Sequence, residues 1–333
     1  MALRKMTKSL LGLMLAGIAG AASVGVQAQS KIDLAVFHPE RSAWTPTIKW
    51  WTEEVAKATN GRVNFVPAYA SSLVNLNETL KSVRDGAVPA GVISMAAVSG
   101  QIPGISLLES IGNLPESTEK LLAMLAEIQP HIDTAFQKQN VQYLWSQQST
   151  GLIVFCRDRH LKSPADWKGR KVRTAGRWQA EQIRVLGASP VATDPAEQYI
   201  ALQNRTIDCA LSVSVLGAPL KLHEVAPFVT LIRLQNNLSG YLVNKGVWDK
   251  FSNEDRAAIK RVSAEADKRS AAHLQATYEE ANQLMTSQKA NLYRLTDAEL
   301  AEFRKTIEPV YEKIEAASGD LSKSIFQIWR KYQ

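Results

Sequence analysis

Residues 169–216, GRKVRTAGRWQAEQIRVLGASPVATDPAEQYIALQNRTIDCALSVSVL, switch repeatedly between extended and helical patterning. Lys171, Val172 and Arg173 form a short β-prone run that ends on a guanidinium. Residues 179–186 are amphipathic, with Ile183 and Leu186 on one face. The run Ala188-Ser189-Pro190-Val191 breaks that helix and starts a second extended run. Residues 195–203 are helical in character, with Tyr199 and Leu202 three apart, and 206–211 read as a last strand. Strand, helix, strand, helix, strand is the alternation that builds a sheet with helices packed on it, so the fold class is α/β. Ligands of open α/β sheets bind beyond the carboxyl ends of the strands. Arg173 stands at such an end.

The same alternation occurs nearer the N-terminus. Residues 32–36 read as a strand running into the loop FHPERSAW. A helix from about 44 or 46 to 59 is closed by Asn60-Gly61. Strands at 63–66 and 92–95 flank a turn at 69–73 and a helix over 77–84 that ends at Asp85-Gly86. With 333 residues, 45% of them hydrophobic, the chain is long enough for two domains or lobes. Residues 102–113 read as a loop with apolar content. A helix over 117–139 is expected to be interrupted or to end near Pro130. Strand-like runs at 141–145 and 151–156 place a first crossing between lobes near 148–151, and runs at 229–234 and 240–243 flank a second.

The blocks Asp166-Trp167-Lys168-Gly169 with Lys171-Val172-Arg173, Leu186-Gly187-Ala188-Ser189-Pro190, Glu197-Gln198-Tyr199-Ile200-Ala201-Leu202-Gln203 and Ile207-Asp208 occur in a specific order and spacing. In these residues the chain resembles the solute receptors of tripartite ATP-independent periplasmic (TRAP) transporters, of the dicarboxylate-receptor DctP type. Weaker similarity covers nearly the whole mature chain. The resemblance implies a two-lobe periplasmic binding protein fold, type II-like, with a long helix bridging the lobes. The expected lobes are 29–150 plus 239–280 and 151–238 plus 281–333. It also implies that Arg173 binds a solute carboxylate. The solute would then pass to TRAP permease membrane subunits, driven by an ion gradient and not by ATP. Two positions depart from the family pattern. Pro89-Ala90 stands where an acidic residue is usual, and Ile153 stands where several branches carry a second arginine.

Residues 1–28 read as a secretory signal peptide: a basic start with Arg4, Lys5 and Lys8, an apolar core, and Val26-Gln27-Ala28 as a cleavage site. The mature chain is therefore expected in the periplasm. Without the leader, 36 basic residues face 32 acidic ones. So mild and diffuse an excess, with no basic run interleaved with aromatics, argues against nucleic acid as a partner. Cys156 and Cys209 are the two cysteines. Buried free thiols are the default expectation, although an exported chain permits a disulfide.

The segment from Ser252 to Gln288 has a capping box and the stripe Ile259, Val262, Ala266, His273, Thr277, Ala281, Leu284. One uninterrupted helix of about 35 residues would span about 50 Å. It could pair in a coiled-coil dimer or lie across both lobes of a monomer; the resemblance implies the second. Helices are also expected from Thr296 toward Ala317 and over 321–332.

Arg173 offers a planar fork for a carboxylate, unless it pairs with a local acid such as Asp208. Ser212, four residues after Asp208, can donate one hydrogen bond. Trp178, Phe37, His38, Trp44 and Gln148 are further candidates for the solute pocket, each equally a packing residue. They suggest a monocarboxylate with an apolar or aromatic body. The histidines lack paired metal-ligand spacing, and the nucleophile-elbow, P-loop and dinucleotide motifs are missing. No metal, cofactor or enzymatic reaction is therefore expected. A periplasmic enzyme or a sensory receptor on a similar scaffold is the alternative.

Overall fold

The computed structural model describes residues 30–109, 115, 117–149, 151–232, 237–317 and 319–332. The leader expected over residues 1–28 lies outside the described residues, as do parts of both expected crossings. In chain order the first elements are β1 (Ser30–Ala35), α1 (Thr45–Ala58), β2 (Val63–Ala68), α2 (Leu76–Arg84), β3 (Ala90–Ser94), α3 (Thr118–Gln137) and β4 (Val141–Ser149). Next come β5 (Leu152–Cys156), β6 (Lys171–Thr174), α4 (Arg177–Val185), β7 (Ser189–Ala192), α5 (Gln198–Gln203), β8 (Cys209–Val213), α6 (Ser214–Gly217), α7 (Leu222–Val225) and β9 (Phe228–Leu231). The chain ends with β10 (Asn237–Asn244), α8 (Lys245–Trp248), α9 (Asn253–Ala272), α10 (Leu274–Ser287), β11 (Asn291–Arg294), α11 (Asp297–Ala317) and α12 (Gly319–Lys331).

Two sheets result, with orders β2-β1-β3-β10-β4 and β11-β9-β5-β8-β6-β7. Their plans match. Each has three parallel strands, β2-β1-β3 in one and β7-β6-β8 in the other, followed by an antiparallel strand, β10 or β5. Each antiparallel strand is supplied by the chain just after it has crossed from the other sheet. The repeated alternation in the sequence is thus two lobes of one design.

Several expectations need correcting. Helix α3 runs through Pro130 without a break. The proline forfeits one backbone bond, but Leu121, Met124, Ile128, Ile132 and Phe136 bury a continuous stripe on both sides of it, and that packing holds the helix. The expected single helix over 252–288 divides at His273 into α9 and α10. The break shifts the buried stripe. Ile259, Val262, Ala266 and Ala281 of the expected stripe are buried, but Leu274, Tyr278 and Met285 join Ala281 in place of His273 and Leu284, which are exposed. The two halves dock on different lobes: α9 packs on α1 and β4, α10 on α6. Strand β11 was not expected; it extends the second sheet beside β9.

Cys156 and Cys209 are not free thiols but a disulfide. They face each other in the antiparallel β5–β8 register, which brings together residues 53 apart in sequence. A loop of this length is worth about 4 kcal/mol in the chain-entropy account. The double variant Cys156→Ala/Cys209→Ala is therefore expected to unfold at clearly lower urea concentration. Equilibrium denaturation checks this, and an unchanged midpoint would refute it.

Strand β4 is an edge, yet two of its N–H groups are bonded by α9. Ser146 N–H donates to Asp267 Oδ1 at 2.7 Å and Gln148 N–H to Ser270 Oγ at 2.8 Å. Those side chains lie one turn apart on α9, so the long helix closes the edge that would otherwise offer itself to another strand. Burial pushes the Asp267 carboxyl up to about 7, the nearby Asp133 adds to the shift, and the Ser146 N–H opposes it. From the ordinary value of 3.8 up to about 7, the folded state holds a proton that the unfolded state has released. Stability from this group is thus present at lower pH and falls as pH rises through that window. Asp267→Asn keeps an acceptor for Ser146 without the charge. It should raise the melting temperature at pH 8 and change it much less near pH 4, at the foot of the window; an equal shift at both would refute the account.

Candidate functional site

A cavity of about 20 Å³ lies between the two sheets. Phe37, just beyond β1, and Ser94, at the end of β3, line it from the first lobe; Arg173 of β6 and Ser212 of β8 line it from the second. The site thus sits where the parallel strands of both sheets terminate, as open α/β sheets dictate. Leu76, Leu152, Val213 and Leu216 supply most of its apolar wall, and Gln179 adds a polar side chain.

Arg173 is 4% exposed. Its Nε donates to Thr193 O and its Nη1 to Leu211 O, both at 2.9 Å. A backbone carbonyl just past β7 and one within β8, the two flanking strands, therefore fix the plane of the guanidinium. Asp208, the candidate local partner, is engaged elsewhere: its oxygens accept from Arg157 Nη2 and from Lys171 N–H, both at 2.8 Å, at the opposite end of β6. Ser212 Oγ is buried with no hydrogen-bond partner. A buried hydroxyl left in that condition carries a desolvation cost that a ligand atom in the cavity would relieve.

The other candidates divide. Phe37 lines the cavity. His38 and Trp44 stand behind it, with ring centroids 5.5 and 6.0 Å from that of Phe37. Burial lowers the His38 pKa to about 4, so at neutral pH this imidazole carries no charge toward an anion. Trp178 is buried at a lobe–lobe contact, its indole N–H donating to Pro103 O at 3.0 Å. Gln148 is not at the cleft; it faces a separate cavity of about 650 Å³ between α3, β4 and α9. The arginines that could replace the missing second one also lie elsewhere. Arg157 pairs with Asp208, and Arg177 is exposed over the Trp178 ring. Ile153 is fully buried opposite Ser212 in the β5–β8 ladder. Among the described residues, Arg173 is the one cation lining this cavity.

Sequence reading missed Ser94, Leu76 and Gln179. Ser94 ends a parallel strand of the first sheet, and the rule that singled out Arg173 points to it equally. Gln179 sits in the first turn of the helix after β6, where its Oε1 accepts the Ala175 N–H at 2.9 Å. Leu76 carried no signal, since its position depends on how the lobes meet.

The lobes touch around the cavity. Arg177 N–H donates to Ser99 Oγ at 2.9 Å, and Ser42 Oγ to Val215 O at 3.4 Å. A Cβ on Gly176 would lie 1.7 Å from Ala96 O. Among the described residues there is no group of three or more His, Cys, Asp or Glu placed to hold a metal ion, and no helix is long and apolar enough to cross a membrane.

Two lobes of matching plan, shut on the buried Arg173 guanidinium, are the build of a two-lobe solute receptor. Residues 34–318 match the DctP model, the bacterial extracellular solute-binding proteins of family 7. The chain belongs to that family. It is 24% identical over 225 residues to a solute-binding protein of Albidiferax ferrireducens, an alignment that spans 66% of each chain. A TRAP periplasmic solute-binding protein from Desulfovibrio salexigens with bound orotic acid superposes with a TM-score of 0.85 at 18% identity, covering 91% of this chain and 98% of that one. Another from Ralstonia eutropha, with bound (S)-2-acetolactate, gives 0.81 at 24% identity, covering 90% and 99%.

Proposed function

We propose that the protein captures an organic monocarboxylate with an apolar body and delivers it to a TRAP permease. The observation that carries this reading is a buried guanidinium, the one cation lining the cavity among the described residues, beside an orphaned hydroxyl and a wall of Phe37, Leu76, Leu152 and Leu216. Arg173 takes the carboxylate as a bidentate fork. Ser212 Oγ hydrogen-bonds the same group or a neighbouring polar atom. The remainder of the solute rests on Phe37, Leu76, Leu152 and Leu216. The bound organic acids of the structural neighbours, orotate and acetolactate among them, support the carboxylate class. The cavity of about 20 Å³ holds little more than one water. A solute therefore enters as the lobes part, and closure around it favours the shut state, because both lobes contact the solute only there.

On this reading the leader at residues 1–28 directs export to the periplasm, and the mature chain acts as a monomer that performs no catalysis. The monomer is supported by α9 and α10, whose residues Ile259, Val262, Leu274, Tyr278 and Met285 are buried within one chain. The division into lobes at 29–150 plus 239–280 and 151–238 plus 281–333 belongs to the same proposal, with one qualification from packing: α12 lies against α3. A thermal-shift screen of organic acids tests the reading. A cognate acid at 100 times its dissociation constant adds about 2.7 kcal/mol of stability. Monocarboxylates with short aliphatic or ring bodies are expected to raise the melting point and to be recovered unchanged. A response only to compact dicarboxylates such as succinate or malate would defeat it.

A further inference from the structure

We infer that Asp194 is a latch between the lobes, a positioning residue that holds the cleft shut from beside the solute. The inference rests on the reading of that cleft as the solute site. Asp194 follows β7 and opens the turn Pro195–Glu197, whose Ala196 N–H donates to its Oδ1 at 2.9 Å. The same carboxylate reaches the other lobe. Leu76 N–H donates to Oδ2 at 3.0 Å, and Ser71 Oγ lies 3.2 and 3.3 Å from the two oxygens. Asp194 is 8% exposed. A carboxylate accepts only, and hydrogen bonds to it are stronger than those between neutral groups. Here two of its three donors come from the opposite lobe, and they are lost when the lobes part.

Two features couple this contact to the solute. Arg173 Nε donates to Thr193 O, so the guanidinium that grips the solute also fixes the peptide immediately before Asp194. Leu76 and Pro195, on either side of the latch, both line the cavity. On the first-lobe side, Ala70 and Ser71 have φ of 57° and 56°. Two successive left-handed residues that carry a Cβ are costly and persist only where surrounding contacts hold them. Their N–H groups donate to His38 O at 2.9 Å and Val36 O at 3.1 Å, which anchors the loop to the exit of β1 and presents Ser71 to Asp194.

The test uses a contact elsewhere on the lobe interface as its reporter. Arg177 N–H donates to Ser99 Oγ across the lobes and shares no partner with Asp194. Amide hydrogen exchange of the mature, isotope-labelled protein, without added solute, reads how often that contact opens. Asp194→Ala is expected to speed exchange at Arg177 at least tenfold. Ser71→Ala, which leaves the Ala196 cap in place, should speed it several-fold and carries the test if the first variant fails to fold. Faster exchange confined to Leu76 and Ala196, with Arg177 unchanged in both variants, would mean that Asp194 only orders its own turn, and the latch would be refuted. No solute enters the measurement, so that failure leaves the carboxylate reading standing. The reading fails separately, if Arg173→Ala leaves solute affinity intact.

Discussion

Arg173→Ala is expected to remove carboxylate binding almost entirely. Truncating one partner of a desolvated charge pair costs about 2–5 kcal/mol, which is a factor of about 30 to several thousand in affinity. The upper part of that range applies because the side chain is nearly inaccessible and its plane is fixed by Thr193 O and Leu211 O. Arg173→Lys should recover little of the loss. An ammonium keeps the charge but cannot serve two carbonyls and both carboxylate oxygens in one plane. Isothermal titration with the best acid from the screen measures the effect, and circular dichroism confirms that the variant is folded. An affinity within twofold of the parent would remove Arg173 from the site.

Gly176→Ala should abolish tight binding by a different route. Gly176 is extended, with φ −162° and ψ 176°, a conformation open to any residue, so the second lobe folds normally with alanine there. The added methyl collides with Ala96 O of the first lobe, at 1.7 Å, only when the lobes are shut. That oxygen lies in the turn after β3, where it accepts the Ser99 N–H at 3.2 Å, and has little room to yield. Apparent affinity falls in proportion to the closed population, and a loss of at least about a hundredfold is expected from so deep an overlap. Small-angle scattering with saturating acid should show a molecule that stays extended. Full compaction and unaltered affinity in the variant would show that the interface adapts. The two substitutions are complementary: one removes the solute's partner and leaves closure possible, the other does the reverse.

Residues 169–216 were legible because their signals are local. Pro190 in a short extended run, the spacing of apolar side chains and an arginine closing a β-prone triplet each act over a few residues. The structure places β6, α4, β7, α5 and β8 within a few positions of the expected bounds. Gln148 failed for a reason of reach. It lies near the crossing, as expected, but its lobe's outer edge is covered by α9, and the side chain faces the space between α3 and α9 and not the cleft. His273 failed similarly. The spacing continues past it, yet the segment serves two lobes in succession, and the break at His273 rotates its buried face.

By itself, then, the chain dictated the α/β alternation, the repeated lobe plan, the caps and stops, and the guanidinium at a strand's end. All follow from interactions among neighbours in sequence. Only tertiary structure decided that Cys156 meets Cys209, that Ser94 and Leu76 line one cavity with Arg173, that Arg157 and Arg177 lie outside it, and that Asp194 spans the lobes. Those pairings join residues tens to more than a hundred positions apart. Sheet register and the packing of one lobe on the other select them, and neither is written in any local pattern.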